Sequence, residues 1–454
     1  MTPTTPEIAE TAVLVAVELG KGNDAGDRQE FTELVRAAGG IPAAALTGRR
    51  DAPHAGTFIG SGKVAELREL VVATGATVAI FDHSLSPSQE RNLERALDCR
   101  VLDRTGLILD IFARRARTHE GKLQVELAQL RHLMPRLVGR ATHLARQQGG
   151  IGLRGPGETQ LETDRRLVRG RIASLERKLE LVQKRRQQGR AARRRGEAPT
   201  VALAGYTNAG KSTLFNALTA AGVLAADQLF ATLDPTLRRF SVPGIGPVLL
   251  ADTVGFISQL PHQLVAAFRA TLEEVASADL VLHVIDAANP DWQHQARCVG
   301  EVLAEIGAGD VPTLCVFNKI DLLEAAQPHL DRDTSGTPIS AWLSARTGVG
   351  IPPVLTALSE RLAGDLVLQS CHLAPTHGRL RAQLYAAAAV IAESPADDGG
   401  TIVDLRIPAA KLQRLLRSEG LVTVPDASLS TQTGAAGLRL ETPLCAHGDQ
   451  TSWS

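Results

Sequence analysis

The sequence predicts a multidomain α/β protein, and three observations carry that prediction. Apolar runs alternate with helical patterns from Ala12 to about Ala116. Two stretches with leucines at heptad-like spacing follow, and a strand–glycine loop–helix pattern then opens a second strand-and-helix alternation near Thr200. At 454 residues the chain is too long for one core. The expected divisions are a small parallel α/β domain over 10–112, an antiparallel helical hairpin over 113–198, a doubly wound α/β domain with a mixed sheet over 199–364, and a small α+β domain over 365–454.

In the first division AVLVAVEL, PAAALT, ATVAIFD and CRVLD read as strands. Between and after them RQEFTELVRAAG, GKVAELRELVVATG, SPSQERNLERAL and GLILDIFARRA read as helices, which is the order of a parallel βα sheet. GTFIGSGK at Gly56 to Lys63 looks like a phosphate loop, but five residues separate Gly56 from Gly62 and Val64 stands where Ser or Thr is needed. A structural glycine turn into a helix is the reading preferred.

Leu123, Leu127, Leu130, Met134, Leu137 and Leu144 lie along one predicted helix, and Leu161, Val168, Ile172, Leu175, Leu179 and Val182 along another. Pro135 is expected to kink the first. Thr159 with Glu162 reads as a capping box for the second, and Gly189 and Pro199 as its exit. The loop between them, QGGIGLRGPGE, carries Gly149, Gly150, Gly152, Gly155 and Gly157 with Arg154 at its tip. Residues 113–200 hold 22 Lys and Arg against 8 Asp and Glu, a charge of +14 in a chain that is neutral overall. A glycine-rich basic loop suits close approach to the phosphates of a folded RNA. A solvated basic face is the blander alternative.

Gly205-Tyr206-Thr207-Asn208-Ala209-Gly210-Lys211-Ser212 follows the strand TVALA and precedes the helix STLFNALTA, the context a phosphate loop requires. Its amides would surround phosphate oxygens, Lys211 would meet the β and γ phosphates, and the Ser212 hydroxyl would reach Mg2+, with Thr213 beside it. Asp252-Thr253-Val254-Gly255 ends the strand VLLAD, where a carboxylate nears the magnesium shell and the Gly255 amide senses the γ phosphate. Asn318-Lys319-Ile320-Asp321 follows PTLCVF, and a carboxylate at its fourth position accepts two guanine N–H groups that adenine lacks. Between the first two lies Phe230-Ala231-Thr232-Leu233-Asp234, a switch whose Thr232 is expected on Mg2+, with Thr236 as competitor. Ser344-Ala345-Arg346 is expected behind the guanine, Ser340-Ala341 being the weaker choice. A P-loop GTPase domain is therefore expected, with Lys211, Thr232 and Gly255 serving catalysis and Ser212 and Thr232 the metal. Phe256 stands where Ras-like enzymes carry the water-orienting glutamine, so hydrolysis is expected to be slow alone. Asn208 offers a place for K+ beside the phosphates.

The last division combines a helical RLRAQLYAAAAVIA, a strand-like TIVDLRI and a helical AAKLQRLLRSEG. The five cysteines are scattered and never form C-x-x-C, which argues against a disulfide framework or zinc site. His83, His119, His132 and His143 have no metal-ligand spacing. No run approaches the ~18 apolar residues of a membrane helix, and MTPTTPEIAE lacks the features of a secretory signal, so a cytoplasmic location is expected. An aromatic share of 3% argues against recognition by base stacking.

GTFIGSGKVAEL, GGIGLRGPGETQLETDRR, FATLDPT and DTVGFI followed by LPHQLVAAFRATLEE resemble the HflX family of translational GTPases over most of the chain. The resemblance implies binding to the large ribosomal subunit, with the hairpin loop directed at ribosomal RNA near the peptidyl-transferase centre. It also implies dissociation of stalled ribosomes, or a part in ribosome biogenesis, by a GTP/GDP switch that is a monomer off the ribosome. An ATP-driven RNA-remodelling activity of the N-terminal part is the alternative.

Overall fold

The computed structural model describes residues 10–20, 25–139, 156–195, 198–219, 229–230, 232–258, 269–363, 366–386, 389–396, 398–408, 412, 415–416, 419, 421–425 and 437–441. Two units are distinguished, one of Met1–Arg238, Leu249–His329 and Ser340–Ile351, the other of Arg239–Val248, Leu330–Ile339 and Pro352–Ser454.

The first unit begins β1 (Thr11–Leu19), α1 (Ala25–Ala37), β2 (Ile41–Arg50), α2 (Ser61–Thr74), β3 (Val78–Phe81), α3 (Pro87–Leu97), β4 (Arg100–Leu102) and α4 (Arg104–Arg115). Its four strands pair in parallel in the order β2-β1-β3-β4. Successive side chains of a strand face opposite ways, so β1 serves two cores. Ala12 and Leu14 pack with Phe31, Leu34 and Phe112, whereas Val13, Val15 and Val17 pack with Leu67, Val71 and Leu93. Helices thereby cover both faces of the sheet, as parallel strands require.

α5 (His119–Leu133) starts at Thr118, whose hydroxyl accepts from the Gly121 amide at 2.9 Å. Pro135 does not kink this helix but ends it, because proline has no N–H to continue the ladder, and a short 3-10 turn follows at Arg136–Gly139. The next helix, α6 (Pro156–Arg195), also differs from expectation. It begins at Pro156, whose fixed φ suits a first helical position, so Thr159 lies inside it rather than capping it. It also runs through Gly189, where one glycine costs only ~1 kcal/mol among strong helix formers. Leu123, Leu127, Ile172 and Leu175 bury a narrow seam between α5 and α6, flanked by Leu130, Met134, Val168 and Leu179. Of the predicted glycine loop, only Pro156, Gly157 and Glu158, now in α6, are within the described residues.

The chain continues through β5 (Thr200–Gly205), α7 (Lys211–Thr219), β6 (Thr236–Val242), β7 (Gly246–Asp252), α8 (Arg269–Ala276), β8 (Leu280–Asp286), α9 (Trp292–Glu305), β9 (Thr313–Asn318), β10 (Leu330–Arg332), β11 (Pro338–Trp342) and α10 (Ile351–Leu362). Strands run β11-β9-β8-β5-β7 with parallel neighbours, and β6 turns back beside β7, making the sheet mixed. β5 and β8 are buried almost throughout, which explains their unbroken apolar sequences.

In the second unit β12 (Leu366–Leu373), α11 (Gly378–Ala386), β13 (Val390–Pro395), β14 (Thr401–Pro408), β15 (Val422–Pro425) and β16 (Gly437–Glu441) form a sheet in the order β13-β14-β12-β16-β15. Cys371, Leu373, Leu380, Leu384, Val403, Leu405 and Ile407 make its core. Burial pushes the Cys371 thiol up to about 12, which leaves it inert. No helix among the described residues is long and apolar enough to cross a membrane.

Candidate functional site

β5 delivers Gly205–Gly210 to the carboxyl end of the sheet, and α7 starts at Lys211. Two glycines there are set by crowding. A Cβ on Gly205 would stand 2.2 Å from the Val284 carbonyl oxygen, and one on Gly210, where φ is +93°, would stand 2.1 Å from Asn318 Nδ2. Asn208 is exposed at a left-handed φ of 61°. The Lys211 ammonium is buried and donates to the carbonyls of Gly205 at 3.0 Å and Tyr206 at 2.7 Å. Burial lowers its pKa to about 8, against the pull of the Asp252 charge.

Three oxygens from separate segments converge beside it. Ser212 Oγ lies 2.8 Å from Thr232 Oγ1, and both hydroxyls donate to Asp252 Oδ2, at 2.8 and 3.0 Å. Asp252 is fully buried, and its Oδ1 has no hydrogen-bond partner. Burial raises its pKa, opposed by the Ser212 hydrogen bond and the Lys211 charge. A buried orphan carboxylate oxygen among hydroxyls is a hard-oxygen donor set, which fits Mg2+. Thr236, the alternative to Thr232, opens β6 instead.

Thr253 donates to the Leu203 carbonyl at 2.5 Å, tying the next segment to β5. A Cβ on Gly255 would meet Thr207 Cγ2 at 2.9 Å and Lys211 Nζ at 3.0 Å, so only glycine lets this backbone approach the loop. Phe256 is buried and bridged to the loop, its N–H donating to Gly205 O at 3.1 Å while the Thr207 N–H donates to its carbonyl at 2.7 Å.

Asn318, at the end of β9, joins two loops. Its Nδ2 donates to Ala209 O at 2.9 Å, and its Oδ1 accepts from the Ala345 N–H at 2.8 Å. Lys319, at φ 69°, pairs with Asp286 at 2.7 Å. Ile320 is buried and Asp321 exposed in the following turn. Ser344 and Ala345 are buried and Arg346 is exposed, whereas Ser340 and Ala341 lie within β11, in register with Cys315 and Val316.

Other predicted residues are engaged elsewhere. Phe230, at φ 54°, packs edge-on against Phe112 of α4 with ring centroids 4.7 Å apart, and Leu233 is buried. Asp234 accepts from the amides of Arg117 and Thr118, both at 2.8 Å, and from the Thr118 hydroxyl. Thr213 continues α7, and Ala231 lies outside the described residues. In GTFIGSGK the Gly56 and Thr57 amides donate to His54 Nδ1 at 3.2 and 3.3 Å, so they are engaged within their own turn.

Sequence reasoning missed a buried cluster adjoining the phosphate loop. Tyr206 donates its hydroxyl to Glu30 and accepts from the Ser258 N–H at 2.6 Å. Arg104 pairs with Glu30 at 2.6 Å and with Asp82. Burial, then the Glu30 charge, raises the Tyr206 pKa. These partners lie up to 228 residues apart, so no local pattern signals them. A cavity of about 630 Å³ opens beside Thr207 and Asn208, bounded also by Glu33, Asp286, His294 and Arg297.

Family models described as GTP-binding GTPase N-terminal, GTP-binding GTPase Middle Region and 50S ribosome-binding GTPase match residues 26–113, 115–193 and 200–319. GTPase HflX of Escherichia coli strain K12 is 57% identical over 413 residues, 91% of this chain and 97% of that one. GTPase HflX of Magnetococcus marinus is 49% identical over 369 residues, covering 80% and 85%. Among solved structures, a GTP-binding protein from Sulfolobus solfataricus in complex with GDP aligns with a TM-score of 0.41 and 23% identity, covering 78% of this chain and 99% of that one. With this identity spread over nine-tenths of its length, the chain belongs to the HflX family of GTPases and is an enzyme that binds and hydrolyses GTP.

Proposed function

We propose that the chain is a magnesium-dependent GTP switch that binds the large ribosomal subunit through residues 113–198 and dissociates stalled ribosomes. The convergence of Ser212, Thr232 and the half-satisfied Asp252 carboxylate carries this reading, because it leaves a buried oxygen to be completed by a cation. Ser212 and Thr232 would hold Mg2+ with Asp252 behind them, and the bound ion would neutralise charge on the β and γ phosphates. Gly205–Thr213 would surround the phosphates, and Thr253 and Val254 would position Gly255 to sense the terminal one. Asp321 would read guanine, while Asn318 holds the Ser344–Arg346 loop behind it. K+ would sit beside exposed Asn208, and equal hydrolysis in sodium and potassium buffers would remove that assignment.

Support for the ribosome as partner comes from the +14 charge of residues 113–200 and from the description of the model matching 200–319 as a 50S ribosome-binding GTPase. Buried and bridged, Phe256 is withdrawn from the role of orienting water, which favours slow turnover until a partner completes the site.

Turnover of GTP with and without purified large subunits tests this function. Stimulation is expected, and it should vanish on deletion of residues 149–157 while GDP binding persists. Equal sedimentation of the GDP and GTP-analogue forms with large subunits would rule out a switch. Asp321→Asn should weaken GTP binding by roughly a hundredfold without altering ATP binding; ATP-driven RNA unwinding that persists undiminished in this variant would instead favour the remodelling alternative.

A further inference from the structure

Thr232 is the member of the oxygen cluster contributed by a segment outside helix and strand, and that segment is fastened on both sides. Before it, Phe230 is buried against Phe112 of α4 despite a left-handed backbone that costs a non-glycine residue ~1 kcal/mol or more. After it, Asp234 accepts the Arg117 and Thr118 amides and the Thr118 hydroxyl, while the same hydroxyl accepts from Gly121. A Cβ on Gly121 would lie 2.2 Å from Asp234 Oδ1, so only glycine lets the carboxylate reach this helix start. The N-terminal end of α5 also favours a negative charge.

The other end of α5 is held separately. Arg136 donates to Glu90 at 2.6 Å and to Asp103 at 2.9 Å, and His132 lies 3.3 Å from Asp103. α5 therefore links the β4–α4 corner at one end to the Thr232 segment at the other, and it carries α6 along their shared seam. Movement of the hairpin would reach the hydroxyl of Thr232 through two residues.

We propose that Asp234 is a positioning residue for GTP hydrolysis: by gripping the start of α5 it fixes Thr232 at the Ser212–Asp252 cluster and makes turnover depend on the placement of the helical hairpin. This rests on the reading of Thr232 as a residue that closes on the metal and terminal phosphate. Asp234 itself is assigned no contact with nucleotide. GDP binding, which needs no closure of this segment, should be independent of it.

The test uses the full-length chain, steady-state GTP turnover at varied Mg2+, and titration with a fluorescent GDP analogue. Asp234→Ala should lower kcat roughly tenfold and raise the Mg2+ concentration for half-maximal turnover, with GDP affinity changed less than about twofold. Thr118→Ala should give a smaller loss of the same kind, and the double variant should be no worse than Asp234→Ala alone. Asp234→Asn, whose amide oxygen still accepts the two backbone N–H groups, should restore most of kcat. Equal loss of GDP affinity would make Asp234 a direct nucleotide ligand and overturn the proposal, as would unchanged kcat or additive effects of the two substitutions. Ser212→Ala run in parallel distinguishes the two levels. If it leaves magnesium-dependent turnover intact, the site reading itself fails; if it abolishes turnover while Asp234→Ala does nothing, only the positioning role fails.

Discussion

Arg104 donates through its guanidinium to the Ser258 carbonyl oxygen at 2.9 Å, joining the first residue of α4 to the segment that follows Phe256. The same side chain, 3% exposed, faces Glu30 and Asp82. Burial pulls its pKa down, and the two carboxylates more than offset that, so its pKa is raised. Ser258 is thus held from both sides, its N–H by Tyr206 and its carbonyl by Arg104.

Arg104→Ala removes the guanidinium shared by two largely buried carboxylates, and breaking such a group costs about 3–5 kcal/mol. Urea denaturation should show that loss. Arg104→Lys, unable to form the same fork, should recover only part of it.

Asn318→Ala removes the donor to Ala209 and the acceptor of the Ala345 amide, leaving buried backbone groups unpaired at ~1–3 kcal/mol. Because both loops loosen, GDP and GTP should lose affinity alike, by roughly ten- to a hundredfold. Fluorescent-nucleotide titration reads this directly; a loss confined to GTP would contradict it.

Glycine substitutions separate the two loops that look alike in sequence. At Gly210 an added Cβ meets Asn318 at 2.1 Å and φ is positive, so Gly210→Ala should abolish measurable nucleotide binding. At Gly62, within α2, nothing lies within 4 Å. Gly62→Ala should therefore stabilise the helix by ~0.5–1 kcal/mol and leave turnover within about twofold. A large loss of turnover at Gly62 would mean that its loop holds a phosphate after all.

His283 in β8 predicts an acid-sensitive range. Burial first, and the Lys211 charge second, lower its pKa to about 4. In that range the unfolded chain binds the proton and the folded chain resists it. Stability is therefore present above the ordinary value of about 6.5 and is lost as pH falls toward 4, by about 2–3 kcal/mol at most. His283→Gln should flatten this part of the stability profile, seen in urea midpoints compared at pH 7.5 and 5.

The sequence by itself determined the parallel N-terminal sheet, the seam of Leu127 and Leu175 and the phosphate loop at Gly205–Ser212, because each is written in adjacent residues or a short period. Periodicity could not decide where helices end: Pro135 read as a kink and Gly189 as an exit, yet the first stops a helix and the second is absorbed into one. Only the tertiary structure brought Thr232, rather than Thr236, beside Ser212 and Asp252, and gave Asp234 to the start of α5. The cluster of Glu30, Asp82, Arg104, Tyr206 and Ser258 was likewise invisible, since a lone buried carboxylate or guanidinium has no sequence period. Its partners are chosen by the need to satisfy charge taken out of water, and residues 154 positions apart can meet that need only once the chain has folded.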